Sequence, residues 1–134
     1  MPVTNPLASH DSSWKAEFDA EAAALRRVFQ DRLVSIHHVG STCIPGIHAK
    51  PDIDILVVLD EVDSISQYSE TMVEHGYAVR GEEDDPGRFY FSKDTNGVRS
   101  HKVHACPVGH RAVWEILLFK AYLLANPSQG DTKA

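Results

Sequence analysis

The stretch His37–Val57, HHVGSTCIPGIHAKPDIDILV, decides the reading. It opens at the end of a β-prone run, Leu33–Val39 (LVSIHHV). It closes inside the strongest strand signal of the chain, Asp52–Leu59 (DIDILVVL), whose β-branched, nearly continuous apolar half predicts a central strand covered on at least one face. Gly40-Ser41-Thr42 and Pro45-Gly46 lie between and have turn chemistry. Side chains two apart on a strand share a face, so Asp52 and Asp54 converge while Ile53 and Ile55 turn into apolar packing. Two carboxylates that close repel each other unless a cation or proton lies between them. Mg²⁺ is commonly held by one or two carboxylates plus substrate phosphates and water. The spacing alone fits better a strand end whose acids are solvated or paired with Lys50. Gly40-Ser41-Thr42 has the glycine and hydroxyls that let a phosphate approach the backbone, and it also fits a plain polar turn.

Outward from this stretch, the first ten residues carry two prolines and no period, and residues 1–11 read as an extended lead. Ser12 or Ser13 can cap a helix over residues 13–31, because Trp14, Phe18, Ala22, Leu25 and Phe29 fall three or four apart. A second helix is predicted over 61–75, with Val62, Ile65, Ser69, Met72 and Val73 on one face and Gly76 at its end. Tyr77–Arg80 reads as a short strand and Gly81–Gly87 (GEEDDPG) as a solvated acidic loop. Arg88–Lys93 and Val98–Cys106 read as a hairpin, joined by Asp94–Gly97 (DTNG), since Asn-Gly tolerates positive φ. A third helix is predicted over 110–125, with Val113, Trp114, Leu117, Phe119, Ala121 and Leu124 as its apolar positions, stopped by Asn126-Pro127. Residues 128–134 read as a frayed tail. The order predicts an α/β (α+β) sheet with helices mainly on one face and an open cleft on the other.

The 134 residues predict a single domain, 1–134. Lys and Arg number 13 against 19 Asp and Glu, a net charge of −6, which argues against bulk nucleic-acid binding while allowing a local basic site. No apolar run approaches the ~20 residues that cross a bilayer, and the start is not a signal peptide, so no membrane association and a cytoplasmic location are expected. The two cysteines make no disulfide scaffold, and nothing supplies a Cys-His-acid arrangement around Cys43.

A strand, a Gly-Ser turn, a spacer and Asp-x-Asp on an adjacent strand together resemble the signature of the DNA-polymerase-beta-like nucleotidyltransferases. His37–Val57 more closely resembles the GrpB family of that superfamily, whose pattern runs H-h-G-S-T-x-h-P-G-h-x-A-K-P-x-I-D-I-L, with h apolar. Gly40, Ser41, Thr42, Pro45, Gly46, Ala49, Lys50, Pro51, Ile53, Asp54 and Ile55 fit it. The likeness continues through Trp14 and Phe18, Gly87–Phe91 (GRFYF), Arg99–His104 (RSHKVH) and Phe119–Leu123 (FKAYL). This chain departs from the family by a fuller Asp pair, by Lys102 where a histidine is common, and by a C-terminus short relative to the family.

The resemblance implies a nucleotidyltransferase-like mixed sheet that binds a nucleoside triphosphate with a divalent metal, Mg²⁺ or Mn²⁺. Asp52 and Asp54 would hold the metal. Gly40, Ser41 and Thr42 would cradle phosphates, and Lys50 or Lys102 would neutralise developing charge. His104 stands where the superfamily places a third acid, as third metal ligand or acceptor-side base. Arg88 and Lys102 are the hairpin cations expected in the cleft. If active, the protein would transfer a nucleotidyl group to a small-molecule or protein acceptor that the sequence does not identify, and the oligomeric state is equally open. The alternative is a catalytically degenerate nucleotide- or metal-binding module acting as a regulatory or partner domain.

Overall fold

The computed structural model describes residues 13–40, 52–60, 68–82 and 86–125. The apolar stripe beginning at Trp14 forms α1, Ser13–Phe29, which tightens into a 3-10 turn at Gln30–Arg32. The strands and helices that follow are β1 (Leu33–Val39), β2 (Ile53–Leu59), α2 (Ser69–Glu74), β3 (Tyr77–Glu82), β4 (Phe89–Thr95), β5 (Val98–Pro107) and α3 (Arg111–Ala125). One five-stranded sheet has the order β1-β2-β5-β4-β3. β2 and β5 are parallel and every other pair is antiparallel, so the sheet is mixed. The parallel pair requires a crossover, which α2, β3 and β4 supply. The β4–β5 turn carries Asn96 and Gly97 at φ 55° and 81°, the geometry expected of an Asn-Gly hairpin.

The main core lies between the sheet and α1. Trp14, Leu25, Val28 and Phe29 of α1 pack on Ile53, Ile55, Val57 and Leu59 of β2, with Phe91, Val103 and Met72 alongside. A second cluster fills the opposite face, where Leu56, Val58 and Cys106 meet Ala112, Val113, Ile116 and Leu117 of α3. β2 is therefore covered on both faces over most of its length. α3 lies on the side expected to be open, where it forms one wall of a cleft.

Several boundaries differ from the sequence reading. β2 starts at Ile53, with Asp52 just ahead of it. β4 starts at Phe89, so Arg88 precedes the strand. The described part of the second helix is Ser69–Glu74, and the predicted positions Val62 and Ile65 lie outside the described residues, as do Ser12 and Cys43. Met72 is fully buried, but Val73, expected on the same face, is 54% exposed. In α3 the expected core positions Trp114, Phe119 and Leu124 are exposed, Trp114 by 66%. That helix is apolar nearly all round, and only the side carrying Ala112, Val113, Ile116 and Leu117 meets the second cluster. No helix among the described residues is long and apolar enough to cross a membrane.

Candidate functional site

Strand register assembles the site. Val39, Asp54, Lys102 and Ser92 lie side by side across β1, β2, β5 and β4. His37, Leu56, His104 and Tyr90 form the next row. Ile53 and Ile55 turn into the main core, as the two-residue period requires. α3 crosses above these rows, leaving a cleft of about 320 Å³. Gly40, Asp54, Lys102 and His104 line its sheet side, and Ile116, Phe119, Lys120 and Leu123 line its helix side.

Asp54 is the electrostatic centre of the cleft. Burial, then the charge of Asp52, pushes its pKa up to about 7, against smaller opposing effects of Lys102 and Arg99. Among the described residues, Lys102 and Arg99 do not offset the burial and the like charge that favour the protonated form. Asp52 is not among the cleft-lining side chains, and its carboxylate meets the Arg99 guanidinium at 3.6 Å. Gly40 has φ +75°, and a Cβ built there would collide with the Asp54 carboxylate. Gly40 and Asp54 are thus in direct contact, and position 40 tolerates only a residue without a side chain.

His104 sits against cations. Arg88 Nη2 lies 3.3 Å from its Nδ1. The Tyr90 ring meets the imidazole edge-on at 5.1 Å and carries Arg88 at 5.2 Å and Lys102 Nζ at 4.8 Å over its face. Burial, then Arg88 and Lys102, pushes the His104 pKa down to about 3. Among the described residues no three His, Cys, Asp or Glu side chains come together to hold a metal, so Asp52, Asp54 and His104 are not assembled as a three-ligand set. His101 faces the other way, into the α1 side, where Glu21 approaches its Nε2 at 3.9 Å.

The structure brings Gly40, Asp54, Lys102 and His104 into one cleft, with the charge of Asp52 acting on Asp54. Arg88 is not among the cleft-lining side chains and contacts His104 instead. Ser41, Thr42 and Lys50 lie outside the described residues. Two contributors were missed from sequence. Lys120 lines the cleft and donates from Nζ to the His38 carbonyl at 2.8 Å. It is the one charge within the apolar run Ile116–Leu124, and that isolation was its signal. Tyr90 was passed over as one aromatic in GRFYF.

A family model described as GrpB protein matches residues 5–132. The chain belongs to the GrpB family. Among curated GrpB-type relatives, YqkA of Bacillus subtilis is 40% identical over 119 residues, covering 89% of this chain and 34% of that protein. The glutamate-rich protein GrpB of Alkalihalophilus pseudofirmus is 34% identical over 127 residues, covering 90% of this chain and 72% of that protein. The chain thus spans about a third of the first and under three-quarters of the second. The crystal structure of GrpB from Enterococcus faecalis superposes with a TM-score of 0.89 at 29% identity, covering 94% of this chain and 76% of that one. Cid1 poly(U) polymerase with MgGTP bound superposes with a TM-score of 0.58 at 17% identity, covering 86% of this chain and 38% of that one. The latter likeness places this GrpB chain in the nucleotidyltransferase-like fold.

Proposed function

We propose that the cleft binds a nucleoside triphosphate together with a divalent metal ion, and that any turnover is nucleotidyl transfer to a small-molecule or protein acceptor. One observation carries the reading. Asp54 is buried beside a second carboxylate and against the bare Cα of Gly40, with its pKa near 7. A carboxyl so placed gains from a multivalent cation, and Asp52 and Asp54 are the two oxygen donors that Mg²⁺ or Mn²⁺ takes alongside substrate phosphates. The Cid1 structure with MgGTP, on the same fold, supports that ligand class. When bound, the metal would screen the phosphates and stabilise charge in the displacement. Lys102 and Lys120 flank Asp54 across the cleft and supply positive charge to phosphate oxygens. Gly40 leaves room for the Asp54 carboxylate, and the apolar wall of Ile116, Phe119 and Leu123 excludes water from one side.

The second reading, a binding module without turnover, draws on His104. An imidazole, not a carboxylate, stands on β5 where the superfamily resemblance calls for a third acid. Thermal-shift titration of nucleoside triphosphates with and without Mg²⁺ or Mn²⁺ tests binding. A ligand at one hundred times its dissociation constant adds about 2.7 kcal/mol. The expected result is a metal-dependent rise in Tm that Asp54→Asn abolishes. No rise with any triphosphate, or an equal rise in Asp54→Asn, overturns the reading. Transfer of an α-phosphate-labelled nucleotide to a macromolecular or small-molecule fraction separates enzyme from module.

A further inference from the structure

His104 was expected to be a metal ligand or a base, and its surroundings give it a different task. A guanidinium carries only N–H donors, so the imidazole nitrogen facing Arg88 Nη2 at 3.3 Å must be an acceptor. Nδ1 is then unprotonated, and in a neutral imidazole the one N–H is on Nε2. His104 lines the cleft, and with Nδ1 turned to Arg88 the remaining ring edge is what it presents there.

We propose that Arg88 is a positioning residue that fixes His104 as the neutral Nε2–H tautomer, so that His104 donates a hydrogen bond to an anionic oxygen of the ligand in the cleft. The ligand half of this statement rests on the triphosphate reading, for which the oxygen is a phosphate oxygen.

The neighbours on every side agree. Lys102 on β5 and Arg88 ahead of β4 bring positive charge to the ring, which disfavours a second proton, and Lys120 on α3 lines the other wall of the cleft. Asp54 on β2 is the opposing carboxyl group, in the adjacent row of the sheet. Tyr90 holds the ring edge-on while its own face carries both Arg88 and Lys102, so the three groups are oriented together. Arg88 Nε is buried with no hydrogen-bond partner among the described residues, and within them the guanidinium is held by the ring contact and the Nδ1 contact. A metal bound at His104 would need a lone pair, and the one available already accepts from Arg88.

Nitrogen-15 NMR of the full chain at neutral pH reads the tautomer directly. The expected spectrum has a protonated Nε2 and an acceptor Nδ1 on His104, and the same in Arg88→Lys, which keeps a donor. In Arg88→Glu the carboxylate should draw the proton to Nδ1. An Nδ1–H tautomer or an imidazolium in the parent overturns the proposal, and so does a folded Arg88→Glu with Nδ1 still bare. If that variant does not fold, the parent and Arg88→Lys spectra decide. Adding ATP with Mg²⁺ should move the Nε2–H proton resonance, and His104→Ala should weaken ATP binding about tenfold while His104→Gln, with an amide N–H, restores most of it. ATP that binds without moving that resonance removes the donor role. A locked Nε2–H tautomer in a protein that binds no ATP upholds Arg88's role and sinks the triphosphate reading instead.

Discussion

Two half-buried carboxyl groups on opposite faces of one sheet have opposite fates. On the α1 face, Glu21 accepts from Tyr77 Oη at 2.7 Å and Lys93 Nζ at 2.6 Å, with His101 at 3.9 Å. Burial alone would raise its pKa, but the hydrogen bonds from Lys93 and Tyr77 and the nearby positive charge outweigh it, and the net direction is down. On the α3 face, Asp54 is buried beside another acid, its cations stand further off, and its pKa rises to about 7. The first cluster is complete within the chain and ties α1 to β3, β4 and β5. Among the described residues the second is left without such a partner, which is the condition of a site that gains stability from a ligand.

Breaking the complete cluster should have the largest effect. Glu21→Ala leaves the buried Tyr77 and the half-buried Lys93 without their acceptor and should cost about 2 kcal/mol, read as a fall in the urea midpoint. Because the folded pKa of Glu21 lies below its unfolded value, its contribution is present above the unfolded pKa and is lost as pH falls through the folded one.

Asp54→Asn should act in the opposite direction. The folded pKa of Asp54 is raised, so the folded state holds its proton more tightly than the unfolded state. Stability from this group is full below 3.8 and drains away as pH rises to about 7. The Asn variant removes that loss, and in the ligand-free protein it should be about 1 to 3 kcal/mol more stable at pH 8, with little difference at pH 3. Denaturant melts at the two pH values check both the sign and the window. A variant less stable than the parent at pH 8 would make Asp54 a second Glu21.

Gly40→Ala probes the contact between Gly40 and Asp54. A Cβ at φ +75° collides with the Asp54 carboxylate, so the substitution should cost about 1 to 2 kcal/mol and weaken any metal-dependent ligand binding. The smallest effect belongs to the rim. Arg99 is half exposed and meets Asp52 at 3.6 Å, so Arg99→Gln should change stability by about 0.5 kcal/mol or less, in a direction sensitive to salt.

What was legible in the sequence follows the range of the physics involved. The two-residue period of DIDILVVL separates Asp54 from Ile53 and Ile55 without any tertiary information, and Asn96-Gly97 declares its own turn. The Gly-Ser and Asp-x-Asp motifs could be paired through the family pattern because they flank one spacer. The place of α3 was not legible, since a helix with Ile116 and Leu117 inward and Trp114 and Leu118 outward offers its period no single face. Nor was the Glu21 cluster, whose partner Lys93 is 72 residues away and meets it only when α1 docks on the sheet. Arg88 was placed in the cleft on a strand start one residue too early. With β4 beginning at Phe89, its side chain reaches His104 Nδ1 from beside the site.

The most direct test of the incomplete cluster is the titration of the Asp54 side-chain carboxyl by carbon-13 NMR, first in the metal-free protein and then with Mg²⁺ and ATP. The expected midpoint is near 7 without ligand, moving well down when metal and nucleotide are added, because a bound cation favours the carboxylate. A midpoint in the ordinary carboxylate range in the free protein, or one near 7 that Mg²⁺ and ATP leave in place, would contradict a cleft built to bind them.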